Sequence, residues 1–259
     1  DYIGHAYGHG GVEMCIQMAQ VDKTIGRVMD ELDARGIDYI VVLTADHGGL
    51  DAPERLQQQG YSLAGRLDDD LETENLAAAV SQATGVTAGQ GPLLLGGAGM
   101  GDLYISRSLS EKDREAVTLA LIARLRAHSQ VAAVFTARQL ESSPMPKGSA
   151  QDWSLQERVR ASFNKDISGD LKVALKRGIL PFKAKKGLVA THGSPWDYDR
   201  RVPIVFWRKG LSGFEQPAPV ETVDIAPTLA SLLGLNLPEG TFDGQCLDID
   251  GSSANICRQ

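Results

Sequence analysis

An α/β fold, built on a mostly parallel, doubly wound sheet and carrying an α/β insertion, is what three stretches of this 259-residue sequence predict. Tyr39-Ile-Val-Val-Leu-Thr44 is apolar, rich in β-branched residues and unbroken, which is how a strand buried on both faces reads. Immediately before it, Val12, Cys15, Met18, Val21, Ile25, Val28, Met29 and Leu32 recur mostly at three- and four-residue intervals, and Gly36 supplies a helix end. Near the other end, Val202-Pro-Ile-Val-Phe-Trp207 is a second apolar strand, with a helical stretch from Asp224 to Leu233 after it. Helix beside apolar strand is the unit from which α/β layers are assembled.

The elements follow in order. The opening, Asp1-Tyr-Ile-Gly4-His5-Ala-Tyr-Gly8-His9-Gly10-Gly11, sets Asp1 and His5 four residues apart, so one helical turn or a compact loop brings carboxylate and imidazole to one side. His9 repeats the spacing, while the glycines at 4, 8, 10 and 11 argue against a regular helix. By residue type Asp1, His5 and His9 are candidate metal ligands; a polar loop with satisfied histidines is the plainer alternative. In the helix that follows, Cys15 lies on the apolar face and is expected in the core. The 39–44 strand ends at Asp46-His47-Gly48-Gly49. Open α/β sheets bind ligands beyond the carboxyl ends of their strands. An adjacent oxygen and nitrogen donor there suit a cation such as zinc, or else the residues merely turn the chain.

From Leu50 the character changes. Asp68-Asp69-Asp70 lacks the spacing of a calcium loop and reads as a solvated turn. Leu71 to Ala83 is helical, with Leu71, Leu76, Ala79 and Val80 inward. The glycines at 96, 97, 99 and 101 fail the dinucleotide fingerprint, because Asp102 stands where the third glycine belongs and a strand follows; a hairpin-like connection fits better. Asp102 to Arg107 is a strand, Ser110 caps a helix whose polar end holds His128, and Gln130 to Thr136 is a further strand. Trp153 to Phe163 reads as helix and residues 170–177 as a half-buried strand. No residue of this region announces a catalytic role.

The core pattern resumes at Leu188. Thr191-His192-Gly193 repeats the Asp46-His47-Gly48 situation, a histidine between an apolar run and a glycine. Beyond it, Asp197 and Asp199 either orient His192 or pair with Arg200 and Arg201 on the surface, the second being the simpler reading. Asp224 is expected to cap the last helix, with Pro227 in its first turn and Gly234 at its end.

A net charge of −7 leaves no basic footprint of the kind nucleic acid binds, and no run approaches the length of a membrane-crossing helix. The cluster at Lys183, Lys185 and Lys186 reads as a solvated loop. Cys246 and Cys257 flank a short acidic segment, where a disulfide and two free thiols are both open.

Taken in order, Asp1-x-x-Gly4-His5, Thr44-Ala-Asp46-His47-Gly48, Thr191-His192-Gly193, Val223-Asp224-Ile-Ala-Pro227-Thr-Leu and Gly244-Gln-Cys-Leu resemble the alkaline phosphatase superfamily. Within it, they are most similar to the bacterial zinc alkaline phosphatases with a threonine nucleophile, close to the nucleotide pyrophosphatase/phosphodiesterases. The resemblance covers residues 1–50 and 187–250 well and the middle poorly. It implies two adjacent zinc ions, one on Asp1, His5 and His192 and the other on Asp46 and His47; His9 has no counterpart. It implies hydrolysis of small phosphate monoesters through a covalent phospho-enzyme, with the metals holding a phosphoryl oxygen and lowering the nucleophile's pKa. A phosphodiesterase or nucleotide pyrophosphatase would use the same five ligands, and a metal-binding fragment inactive without its N-terminal half is the reading from another class. The family's nucleophile, one further aspartate ligand and the phosphate-gripping side chains lie upstream of the Asp1 motif. The sequence therefore reads as a C-terminal part, with an N-terminal fragment as an expected partner and a periplasmic or secreted location. On this reading residues 1–50 and 187–259 belong to the phosphatase core and 51–186 form an inserted, cap-like subdomain that shapes substrate access.

Overall fold

The computed structural model describes residues 1–238, 240–249 and 255–257. The first half carries α1 (Tyr2–Tyr7), α2 (Val12–Ala34), β1 (Val41–Leu43), α3 (Pro53–Gln58), β2 (Gly65–Arg66), α4 (Thr73–Thr84), β3 (Leu94–Gly97), β4 (Asp102–Ile105) and α5 (Glu111–Ala127). The second carries β5 (Val131–Thr136), α6 (Ala137–Ser142), α7 (Leu155–Ala161), β6 (Leu171–Leu175), β7 (Ile179–Leu180), α8 (Asp197–Arg200), β8 (Val205–Trp207) and α9 (Ile225–Leu232). The chain forms two compact units, one of residues 1–20, 47–146 and 154–201, the other of residues 21–46, 147–153 and 202–259. These bounds differ from a division at 50/51 and 186/187.

The first unit is organised around a four-stranded antiparallel sheet in the order β3-β4-β6-β5. Strands β3 and β4 form the hairpin expected at the glycine cluster, with Gly96 and Gly101 at φ 79° and 86°, values that suit only glycine. Strands β4 and β5 each pair antiparallel with β6 and therefore run the same way, so β4-α5-β5 is a split β-α-β unit. Leu103 and Ile105 alternate inward from β4 and meet Leu76 and Val80 of α4 and Val117, Leu121 and Leu125 of α5. Next to Val134 in that core, Phe135 faces the other way and packs on Leu140 of α6 and Val159 of α7. Local chemistry starts these helices where it should. The Ser110 hydroxyl accepts from the Asp113 N–H, and Ser154 with Glu157 forms a reciprocal capping box. Expected to be half-buried, β6 is instead buried at four of its five positions, because it lies between two neighbours.

In the second unit, β1 pairs antiparallel with β8, Val41 opposite Trp207 and Leu43 opposite Val205. The α/β class stands, but the pairing differs from a mostly parallel sheet: among the described residues only β2 with β7 is parallel. Nor is the 39–44 run covered on both faces. Val41 and Val42 are half-buried and Leu43 is 44% exposed, since β8 is the only described strand beside it. Helix α2 forms as predicted and ends at Gly36 (φ 66°), yet none of its residues is buried. Cys15 is exposed rather than in the core, because the stripe is left open around it at Val12, Met18 and Val21, while Ile25, Met29 and Leu32 further along are half-buried. Asp224 is buried but makes no side-chain cap to α9. One carboxylate oxygen accepts the Glu221 N–H (2.9 Å) and the other accepts the Gln245 N–H (2.8 Å), so it fastens the C-terminal segment. Cys246 and Cys257 form a disulfide, with Cα atoms 5.7 Å apart.

Candidate metal centre

Three segments of the first unit bring histidines to one carboxylate. Helix α1 does form, despite its glycines, with Asp1 at its N-cap position and no side-chain cap bond, so the carboxylate is left to point elsewhere. Its Oδ2 lies 3.4 Å from His5 Nε2, one turn on. Its Oδ1 lies 3.7 Å from His47 Nε2 and 3.7 Å from His192 Nε2. The His47 and His192 rings stack with centroids 3.4 Å apart, and His5 sits 5.1 Å from His192.

The tautomers follow from the other ring nitrogen. His5 Nδ1 is 2.9 Å from the Ala190 carbonyl, and His47 Nδ1 is 2.8 Å from the Gly48 carbonyl. A carbonyl only accepts, so Nδ1 carries the proton in both rings, and in the neutral imidazole the Nε2 lone pair faces Asp1. A backbone carbonyl behind a metal-binding histidine is the usual means of fixing ring and tautomer.

The scaffold explains why these atoms meet. The His5 carbonyl accepts the N–H of Val189 (2.7 Å) and Ala190 (3.2 Å), and the Leu50 N–H reaches the Thr191 carbonyl (3.1 Å), so the segment before His192 is tied to both other histidine segments. His9 is a wedge. A Cβ at Gly49 would run into its ring, and a Cβ at Gly4 would lie 3.3 Å from its Nε2. That imidazole occupies the space two side chains would need, and its Nδ1 is buried without a hydrogen-bond partner. Gly8 and Gly10 press in the same way on Asp51, which pairs with Arg55 at 2.5 Å; Arg55 in turn donates to the Tyr7 carbonyl at 3.1 Å and fastens the end of α1.

The structure thus brings together Asp1, His5, His47 and His192. The oxygen and two nitrogens of Asp1, His47 and His192 lie within 4.8 Å of one another, a donor set that suits zinc. Asp46 is exposed on the bend after β1, in the second unit. Asp197 pairs with Arg158 (2.9 Å) and Arg200 (3.6 Å), as expected of a surface aspartate. Asp199 does not: it is buried, and its carboxylate accepts the Ser194 N–H at 2.6 Å. Its burial could not be read from spacing, because α8 is only four residues long and nothing in its sequence distinguishes one aspartate's side from the other's.

A second group, Asp68, Asp70 and His128, comes together in the four-stranded-sheet region, where Asp70 Oδ1 is 3.0 Å from His128 Nε2. There the Gln130 N–H donates to His128 Nδ1 (3.1 Å), so a neutral ring carries its proton on Nε2 and gives it to Asp70. Asp68, Asp69 and Asp70 are exposed, as a solvated turn requires, and this ring braces that turn as a hydrogen-bond donor.

Comparison with known proteins places these residues in context. The pattern of the type I phosphodiesterase / nucleotide pyrophosphatase family matches residues 1–195. The chain is 48% identical over 257 residues to alkaline phosphatase PhoD of Zymomonas mobilis subsp. mobilis, covering 99% of this chain and 44% of that protein. It is 44% identical over 259 residues to alkaline phosphatase PhoK of Sphingomonas sp, covering 99% and 46%. The fold matches the crystal structure of wild-type alkaline phosphatase PafA with a TM-score of 0.75 at 24% identity, over 95% of this chain and 45% of that one. The chain spans a little under half the length of these relatives.

Proposed function

The chain belongs to the type I phosphodiesterase / nucleotide pyrophosphatase family, and on that premise we propose that it is the metal-holding part of a zinc-dependent phosphomonoesterase. The observation that carries the reading is the convergence of three histidines on Asp1, two of them turned by backbone carbonyls so that Nε2 faces the carboxylate. Asp1, His5 and His192 would hold one zinc and Asp46 with His47 the other. When bound, the ions would draw charge from a phosphoryl oxygen and make the attacking and leaving oxygens easier to ionise.

This chain's own part is binding and orientation. The Asp1 carboxylate supplies the negative charge beside the His5 and His192 imidazoles, which keeps a dication from being held by neutral donors alone. The Ala190 and Gly48 carbonyls keep their rings from turning away. The nucleophile and the side chains that grip the phosphate would come from residues outside this chain, in keeping with its share of the relatives' length. The exposed apolar stripe of α2 and the exposed Leu43–Val205 pair would be covered by that other part, an N-terminal fragment of the same protein. A phosphodiesterase would use the same ligands, and the alkaline phosphatases among the relatives favour the monoester. The disulfide suits an oxidising periplasmic or extracellular setting.

The test has two readouts. Zinc bound to the purified chain is measured by elemental analysis for the wild type, His192→Ala and His47→Ala; each substitution should lower the bound zinc, and unchanged content in both would refute the ligand assignment. Hydrolysis of p-nitrophenyl phosphate by this chain alone, zinc-dependent and as fast as by full-length relatives, would refute the claim that the nucleophile lies elsewhere.

A further inference from the structure

Asp199 is 5% exposed, one of three buried polar side chains in the described core. Burying a carboxylate is costly unless its oxygens are satisfied, and here only one oxygen is. Oδ2 accepts the Ser194 N–H at 2.6 Å, while Oδ1 is buried with no hydrogen-bond partner. Main-chain atoms of the same short helix reach the other histidine segment. The Asp199 carbonyl accepts the Gly48 N–H at 2.8 Å, and the Tyr198 carbonyl accepts the Gly49 N–H at 2.8 Å. Gly48 is next to His47, and Ser194 is two residues from His192. One residue thus fastens both segments whose rings stack at 3.4 Å, by its backbone on one side and its carboxylate on the other.

The clamp is itself held. Trp196 donates its indole N–H to the Leu175 carbonyl (2.9 Å), the Tyr198 hydroxyl accepts the Gly178 N–H (3.4 Å), and Arg158 reaches both the Pro195 carbonyl (3.2 Å) and Asp197 (2.9 Å). Burial pushes the Tyr198 phenol up, with hydrogen bonds to Ser194 and Gly178 pulling part of the way back, so it stays a neutral prop. With α8 anchored to β6 and the β6–β7 turn, Asp199 transmits a fixed position to the two histidine segments.

We infer that Asp199 is a positioning residue for the metal centre, holding the His192 segment through the Ser194 N–H while its backbone holds the His47 segment. The inference rests on the zinc reading above. Its test is a thermodynamic cycle read by competition with a zinc chelator of known affinity, on the full 259-residue chain, with folding checked by circular dichroism. Asp199→Ala should weaken zinc by about ten- to a hundredfold, the range seen when groups behind metal ligands are removed. Asp199→Asn, which keeps an acceptor for Ser194 and offers an N–H₂ in place of the unpartnered oxygen, should restore most of that loss. In a His192→Ala background, Asp199→Ala should cost little more, because the ligand it positions is already gone.

A fully additive loss in that background would mean general structural damage and overturn the inference. So would equal losses for the alanine and asparagine variants, or no loss for either. If instead the wild-type chain takes up no zinc, the zinc reading itself fails, and this inference with it.

Discussion

Gly48→Ala probes the centre without touching a ligand. Gly48 is required for space: a Cβ there would fall within the Tyr198 carbonyl and 3.5 Å from the Asp199 Cα. To admit the methyl, residues 48–49 must lift from residues 198–199, breaking the Gly48-to-Asp199 and Gly49-to-Tyr198 hydrogen bonds, each 2.8 Å. At about 1 kcal/mol net per bond, with about 1–3 kcal/mol for the forced shift, the loss comes to roughly 3–5 kcal/mol. At about 2–4 °C per kcal/mol for a chain of this size, the melting temperature should fall by roughly 6–20 °C. The assay is thermal unfolding in chelator, which reads the scaffold alone, followed by zinc titration of the folded variant, which should show weaker binding. Gly26→Ala is the control: nothing lies within 4 Å of its added Cβ in mid-helix α2, so it should stabilise by about 0.5–1 kcal/mol. If Gly48→Ala melts and binds zinc like the wild type, the close approach of the two segments is wrong, and the account of Asp199 falls with it.

Other expectations are independent of this one. Gly49→Ala should expel the His9 ring and weaken zinc binding, whereas His9→Ala in the same background should relieve most of the instability; calorimetry that finds the two losses additive would refute the wedge. For Asp51, burial would raise the carboxyl, but its hydrogen bond to Arg55, with further help from the Ala52 and Gly10 N–H groups, outweighs it and holds the group below the usual range. A depressed carboxyl stabilises the fold above its unfolded value and loses that contribution as pH falls through the folded one. Asp51→Asn should therefore lower the melting temperature at neutral pH and converge on the wild type below the unperturbed 3.8; a pH-independent gap would contradict this. Opening the Cys246–Cys257 bridge, whose partners are 11 residues apart, should cost about 3 kcal/mol by loop entropy, checked by denaturant unfolding of Cys246→Ser with and without reductant. Leu121→Ala, at 0% exposure between α5 and the sheet, should cost about 2–5 kcal/mol; a loss under 1 kcal/mol would mean that core is loosely filled.

What could be read in advance was whatever short-range chemistry dictates. Ser110 announces a helix because its hydroxyl needs only the N–H three residues on, and Gly36 ends one because φ 66° is open to it. Asp1 and His5 share a side because four residues make a turn. His47 and His192 were legible as types at the ends of apolar runs, but as neighbours only through the family resemblance, since their approach depends on ladders linking residues 48–50 to 191 and 198–199. The unreadable parts all rest on distant partners. Asp199 is buried where its carboxylate meets the Ser194 N–H and its carbonyl the Gly48 N–H, and α1 tolerates Gly4 because a histidine five residues on takes the vacant space. Cys15 shows the converse. A helical stripe says which face is apolar, but only the elements laid on it decide whether that face is buried.

Strand β6 carries a consequence for the order in which the first unit assembles. It is the middle strand between β4 and β5, yet it comes last of the four in the chain, after α6, α7 and the loops around them. The β3–β4 hairpin closes over four residues and needs nothing else, while β5 has, among the described residues, no ladder partner but β6. During synthesis the segment from Val131 to Asp170 is therefore made before the strand that will hold it, leaving Val134 and Phe135 without their sheet for that interval. A growing chain should pass through a state in which α4, the hairpin and α5 are collapsed while β5 is open. Pulse-labelled hydrogen exchange would see it as early protection at Tyr104, whose amide faces β3, and late protection at Phe135, whose amide faces β6.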